Sequence, residues 1–82
     1  MGMKPGEVHW RCRRGVLELD LLLNQFFKSE YLNLSEEDQV YFQAVLAYSD
    51  PELQAWLLAG EAPPKEIEDM ILKIRRFYAQ LH

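Results

Sequence analysis

The sequence predicts an all-α fold, a small single-domain bundle of about five short helices. Apolar residues recur at intervals of three and four positions in the second and last predicted helices, as expected for buried helix faces. These positions are Leu19, Leu22, Leu23, Phe26 and Phe27, and then Ile67, Met70, Ile71, Ile74, Phe77, Tyr78 and Leu81. No segment shows the two-residue alternation of a half-buried strand. With 82 residues the chain can form one core, so we expect one domain over residues 1–82.

The first two helices are predicted from a proline and a glycine. After a frayed start, Pro5 suits the first turn of a helix over about residues 6–14, and Gly15 can adopt the left-handed conformation that ends it. The second helix carries an additional apolar stripe, which we expect neighbouring elements to cover. That stripe comprises Val16, Leu17 and Leu21.

Helix-capping residues, a glycine and two prolines divide the second half of the chain into three predicted helices. Ser35 is the expected N-cap of a third helix that ends near Ser49. Asp50 is the expected N-cap of a fourth helix, which Gly60 ends. The last helix then follows Pro63-Pro64.

Residues 10–20 bring opposite charges together around a glycine, and we call this segment the charged corner. Arg13 and Arg14 are expected in the last turn of the first helix, where cations suit the helix dipole. If Gly15 also caps the second helix, Glu18 is its third residue and can reach back to free backbone amides. This structural interpretation explains the residue types, but it does not explain why arginines crowd one segment of an acidic chain.

Three other side chains of the first helix have more ordinary expected roles. Trp10 can stack on a neighbouring guanidinium, either to fix the corner or to offer a flat surface to a partner. His9 and Cys12 are expected to be packing residues, because no histidine–carboxylate set accompanies the lone thiol.

Composition excludes several classes of protein. The formal net charge of −4 argues against a nucleic-acid binder, which needs a basic footprint. One cysteine cannot form an internal disulfide, so a reducing, cytoplasmic location is expected. The longest apolar run is interrupted by acids and is too short to span a bilayer, so we expect no membrane insertion.

The sequence also lacks the motifs of an enzyme. It has two histidines and no histidine or cysteine cluster at metal-ligand spacing, so we expect neither a metal site nor catalytic residues. It lacks a glycine-rich, phosphate-binding turn, so we expect no tightly bound nucleotide or flavin cofactor. An interaction module remains, and the charged corner is its candidate surface.

The segment from Trp10 to Asp20 resembles the signature of the succinate dehydrogenase flavinylation factors, the bacterial FAD assembly proteins and their mitochondrial counterparts. The motif of this family is Arg-Gly-x-x-Glu, found here as Arg14, Gly15 and Glu18. Later residues also match over nearly the whole chain. These are Phe26-Phe27, Tyr31, Leu34-Ser35, Phe42, Asp50-Pro51-Glu52-Leu53 and Trp56-Leu57.

The resemblance implies a helical assembly factor that binds the flavoprotein subunit of succinate dehydrogenase, and often that of fumarate reductase. It would promote covalent attachment of FAD to a histidine of that client subunit, and we expect it to act as a monomer. Arg14 and Glu18 would contact the client, while Gly15 allows close backbone approach. The surrounding partner-binding surface would comprise Trp10, Arg11, Arg13 and Asp20.

Three alternatives stay open at this point. The first is an antitoxin-like or regulatory protein-binding module, a label that members of this family have also carried. The second is a helix-turn-helix nucleic-acid binder, which the acidic net charge disfavours. The third is a small enzyme that uses Cys12.

Overall fold

A computed structural model describes residues 4–81 and confirms the predicted all-α fold. Within that range the chain contains five α-helices and no strand. The helices are α1 (Pro5–Arg11), α2 (Leu17–Glu30), α3 (Glu36–Val45), α4 (Asp50–Leu53) and α5 (Glu68–Leu81). Most of the predicted frayed start, residues 1–3, and the terminal His82 lie outside the described residues.

Two of the predicted helix starts can be compared with observed caps. Ser35 caps α3 as predicted, because its hydroxyl accepts a hydrogen bond of 3.1 Å from the Asp38 amide. The prediction that Asp50 is the N-cap of α4 is wrong. Ser49 is the cap, and it forms a reciprocal capping box with Glu52. Asp50 is the first helical residue, and its carboxylate is free to bind elsewhere.

Two helices end earlier than the sequence suggests. α1 ends at Arg11 instead of Arg14, and α3 ends at Val45 instead of near Ser49. In both cases tight three-residue turns follow, with Arg13 N bonded to Trp10 O at 3.1 Å and Tyr48 N bonded to Val45 O at 3.1 Å. The chain therefore leaves each helix early, and the two ends come within reach of each other.

The fourth helix widens before it stops. α4 continues as a π-helical turn over Gln54–Leu58, in which the Ala59 amide donates to the Gln54 carbonyl at 2.9 Å. Gly60, with a φ of 77°, then ends the helix as predicted. A short 3₁₀ turn, Lys65–Ile67, leads into α5.

The core lies between α2, α3 and α5 and is rich in aromatic residues. Phe26 contacts Phe42 and Phe77, with ring centroids 5.4 Å away in each case. The buried apolar positions of α2 and α5 fall within the predicted stripes, although Leu81, at the end of the second stripe, is exposed. They are Leu19, Leu22, Leu23 and Phe26 in α2, and Met70, Ile71 and Ile74 in α5.

The second apolar stripe of α2 is only partly covered: Val16 packs against the core as expected, but the two leucines do not. Leu17 is 74% exposed and Leu21 is 52% exposed. The expectation was wrong for these leucines because, within residues 4–81, α5 approaches α2 from one side and leaves a groove beside Leu21. None of the described helices is both long and apolar enough to cross a membrane.

Candidate functional site

An exposed tryptophan and an arginine form one part of the charged corner. Trp10, near the end of α1, is 69% exposed. The guanidinium carbon of Arg13 lies 5.8 Å from the centre of its ring. The predicted stacking of Trp10 on a neighbouring guanidinium is thus confirmed, and it presents a flat, cationic surface to solvent.

The sequence suggested that Arg14 belongs to the last turn of α1. It lies beyond the end of that helix instead, and its side chain points into the fold. Its Nε donates to Asp50 Oδ1 at 2.8 Å, and its Nη1 donates to the Leu46 carbonyl at 2.8 Å. Nη1 and Nη2 also donate to the carbonyls of Arg11 and Tyr48. The Arg14 side chain is only 15% exposed.

This arrangement follows from the early ends of α1 and α3. The last carbonyls of a helix lack intrahelical partners, and the carbonyl groups just beyond α3 face the loop that follows α1. The forked guanidinium of Arg14 can satisfy several of them at once. Arg14 therefore fastens the α1–α2 connection to the α3–α4 connection, about thirty residues away along the chain.

Asp20 fixes the backbone on the other side of the corner. Its carboxylate accepts hydrogen bonds from the amide of Arg14 and, at 3.2 Å, from the amide of Gly15. Gly15 has a φ of 84°, which confirms the predicted left-handed conformation, but it does not end the first helix as expected, because α1 already ends at Arg11. The prediction that Gly15 is the N-cap of α2 is wrong, since that position belongs to Val16. Asp20, rather than Glu18, is the acid that reaches back to the free amides.

Glu18 is the second residue of α2 instead of the third, and it is exposed. Its carboxylate accepts a hydrogen bond from the hydroxyl of Tyr78 in α5. This hydrogen bond is the main reason why the pKa of Tyr78 is raised above its ordinary value. Sequence analysis placed Tyr78 only in the apolar stripe of the last helix. No local pattern could have indicated its contact with a residue 60 positions earlier.

The predicted site residues therefore fall into two groups. The amides of Arg14 and Gly15 both donate hydrogen bonds to Asp20, and these bonds define the backbone of the loop. The other predicted residues are exposed around that frame. They are Trp10, Arg11, Arg13 and Glu18.

Cys12, a residue of the charged corner, is fully buried, and its side chain belongs to the core. Its thiol donates to the Val8 carbonyl at 3.4 Å, and burial raises its pKa to about 12. A thiol of this kind stays protonated and is a poor nucleophile, as expected for a packing residue. His9 stacks on Phe27, with ring centroids 4.9 Å apart. Among residues 4–81 there is no group of three acidic, histidine or cysteine side chains that could hold a metal ion.

Comparison with known proteins gives a consistent result over most of the chain. A family model described as the flavinator of succinate dehydrogenase matches residues 7–78. A Shewanella oneidensis protein named FAD assembly factor SdhE is 43% identical over 74 residues, covering 89% of this chain and 90% of that protein.

Two further relatives carry the same name. The Legionella pneumophila protein is 46% identical over 66 residues, covering 80% of this chain and 84% of its own length. The Coxiella burnetii protein is 37% identical over 71 residues, covering 85% of this chain and 87% of its own length.

Proposed function

The chain belongs to the family of flavinators of succinate dehydrogenase, and from this premise we propose that it binds the flavoprotein subunit of that enzyme and promotes covalent attachment of FAD to it. The family match confirms the resemblance predicted from the sequence. It also agrees with the expected role as an assembly factor rather than an enzyme. The observation that carries the proposal is the match over residues 7–78, which includes the whole charged corner.

In this proposal the charged corner is the client-binding surface. The exposed Trp10–Arg13 pair and Arg11 offer cationic and planar contacts, and Glu18 offers a carboxylate. Gly15 is exposed, and a Cβ added there would meet nothing within 4 Å, so a client backbone can approach it closely.

Arg14 has a different role from the client contact that its place in the motif suggests. A guanidinium has about five N–H donors, and in this chain Arg14 makes four hydrogen bonds to its own fold. We therefore assign Arg14 and Asp20 to positioning: they hold the loop in the shape that presents the exposed residues to the client.

The proposed mechanism is one of positioning rather than chemistry. The factor would favour the client conformation in which the acceptor histidine and the flavin are aligned, so it needs no tightly bound cofactor of its own. The proposal extends to the flavoprotein subunit of fumarate reductase as a second client. It treats residues 1–82 as one domain that acts as a monomer in the cytoplasm, where Cys12 stays reduced.

The test is the covalent flavin content of a succinate dehydrogenase flavoprotein subunit incubated with FAD and with this protein or buffer. Fluorescence of the subunit on a denaturing gel reports the covalent product. We expect the protein to raise this signal above the buffer level. An unchanged signal with a competent subunit would refute the function. If the protein instead forms a specific complex with a different protein, the antitoxin-like alternative is favoured.

A matched pair of glycine variants tests the site. Gly15→Gln and Gly60→Gln place the same neutral side chain at two positions with similar φ, 84° and 77°. Each should therefore lose about 1–2 kcal/mol of stability from backbone strain. Only Gly15→Gln should lose flavinylation activity, because only Gly15 lies in the charged corner. If Gly15→Gln unfolds while Gly60→Gln stays folded, Gly15 is structural and the site assignment fails.

A further inference from the structure

A groove continues from the charged corner along the seam between α2 and α5. Its volume is about 360 Å³. The groove is lined by Glu18, Leu21, Leu22, Gln25, Tyr78 and Leu81. Glu18 thus belongs both to the charged corner and to this groove, so the two surfaces are continuous.

The groove is apolar and open to solvent. Leu21 and Leu81 are about half exposed on its walls, and Leu17, one helical turn before Leu21, is 74% exposed. A small-molecule site usually encloses most of its ligand, which these exposed walls do not do. Contiguous exposed leucines beside a polar rim are instead typical of a surface that binds protein side chains.

The charge at the rim indicates what kind of segment fits. Within residues 4–81 the Glu18 carboxylate forms no ion pair, although it accepts the hydrogen bond from Tyr78. That hydrogen bond holds the carboxylate at the rim of the groove without bringing a positive charge to it, although the first turn of α2, in which Glu18 lies, also favours an acid through the helix dipole. A cation next to an apolar side chain would complement both features.

We propose that this groove binds an amphipathic segment of the client flavoprotein, with an apolar side chain packed against Leu21 and a lysine or arginine paired with Glu18. The inference rests on the proposed function, since it names how the same client is recognised. Tyr78 acts as a positioning residue, because its hydroxyl orients the carboxylate that receives the client's cation. The arginines of the corner and the carboxylate of the groove would together fix the orientation of the client.

The apolar part is tested by a matched pair of charge insertions. Leu21→Glu places a carboxylate in the groove, and Val40→Glu places one on α3 at nearly equal exposure, 52% against 55%. Binding of the succinate dehydrogenase flavoprotein subunit is measured by titration calorimetry. Leu21→Glu should bind at least about tenfold more weakly, whereas Val40→Glu should match the unmodified chain. The milder variant Leu21→Ala keeps the test valid if Leu21→Glu folds poorly.

The polar part is tested by a double-mutant cycle. Tyr78→Phe removes only the hydroxyl, and Glu18→Gln removes only the charge. Each should weaken binding about three- to tenfold, and Tyr78→Phe should add nothing in the Glu18→Gln background. Glu18→Gln should also reduce the salt dependence of the dissociation constant, because one ion pair is lost.

The outcomes separate this inference from the proposed function. If the Gly15→Gln variant loses binding while Leu21→Glu keeps it, the groove is not used and the proposed function stands. Additive effects of Tyr78→Phe and Glu18→Gln would refute the positioning role of Tyr78. If the unmodified chain does not bind the flavoprotein subunit at all, the proposed function itself fails.

Discussion

The charged corner and the aromatic core are stabilised by different kinds of interaction. In the core, Phe26 and Phe42 are fully enclosed by apolar neighbours. In the corner, Arg14 and Asp20 hold the chain by hydrogen bonds to backbone groups, and the surrounding side chains stay exposed. Packing depends on volume, whereas hydrogen bonding depends on the placement of particular donors. The two regions should therefore respond differently to the same kind of substitution.

The largest effect is expected from the core. Phe26→Ala removes a ring that contacts Phe42 and Phe77 and leaves a cavity, which should cost about 3–5 kcal/mol of unfolding free energy. Chemical denaturation followed by circular dichroism measures it. Val40→Ala, at an exposed position of α3, is the control and should change little. If Phe26→Ala proves as stable as the parent chain, the assignment of the core is wrong.

A smaller effect, specific to donor geometry, is expected from the corner. Arg14→Lys keeps the charge but cannot reproduce the fork that bonds Asp50 and three carbonyls, so it should cost about 1–3 kcal/mol. Arg13→Lys changes an exposed residue and should stay within about 0.5 kcal/mol of the parent chain. Equal stabilities of the two variants would show that the Arg14 bonds do not hold the loop.

The effect that is absent at neutral pH and develops only in alkali concerns Cys12, where the corner meets the core. Burial raises its pKa from 9.0 to about 12. Well below pH 9 the thiol is protonated in both the folded and the unfolded state. Above pH 9 the unfolded chain loses the thiol proton before the folded chain does. The unfolding free energy should therefore fall as the pH rises toward 12, by at most about 1.4 kcal/mol per pH unit. Chemical denaturation at about pH 9, 10 and 11 measures this slope.

Cys12→Ala is the control for that slope. It removes the titrating thiol, so its stability should fall less steeply with pH than that of the parent chain, although its stability at neutral pH is lower. Identical slopes for the two chains would mean that the thiol is not protected in the folded state.

The same contrast explains which features could be predicted from the sequence. Helical periodicity located the buried faces of α2 and α5, because burial on one side of a helix imposes a regular spacing. The left-handed conformations of Gly15 and Gly60 and the cap at Ser35 were predicted correctly, because they depend on adjacent residues. These are local effects, and local effects leave a pattern in the sequence.

Other features depend on residues that are distant in the chain. Arg14 donates hydrogen bonds to carbonyls more than thirty positions away, and Glu18 accepts a hydrogen bond from Tyr78, 60 positions away. Carbonyl acceptors occur at every residue, so the sequence does not indicate which ones an arginine will meet. The N-cap of α4 was misassigned for a local reason, since Ser49 and Asp50 are adjacent and both suit the position.

The most direct test of the account is a map of the chain's amide resonances with and without the succinate dehydrogenase flavoprotein subunit. We expect shifts and broadening concentrated in residues 10–21 and 78–81, which are the charged corner and the groove beside it. Changes centred instead on the acidic surface around Glu37, Glu66 and Asp69, with the corner unaffected, would contradict the central claim that the charged corner is the client-binding surface.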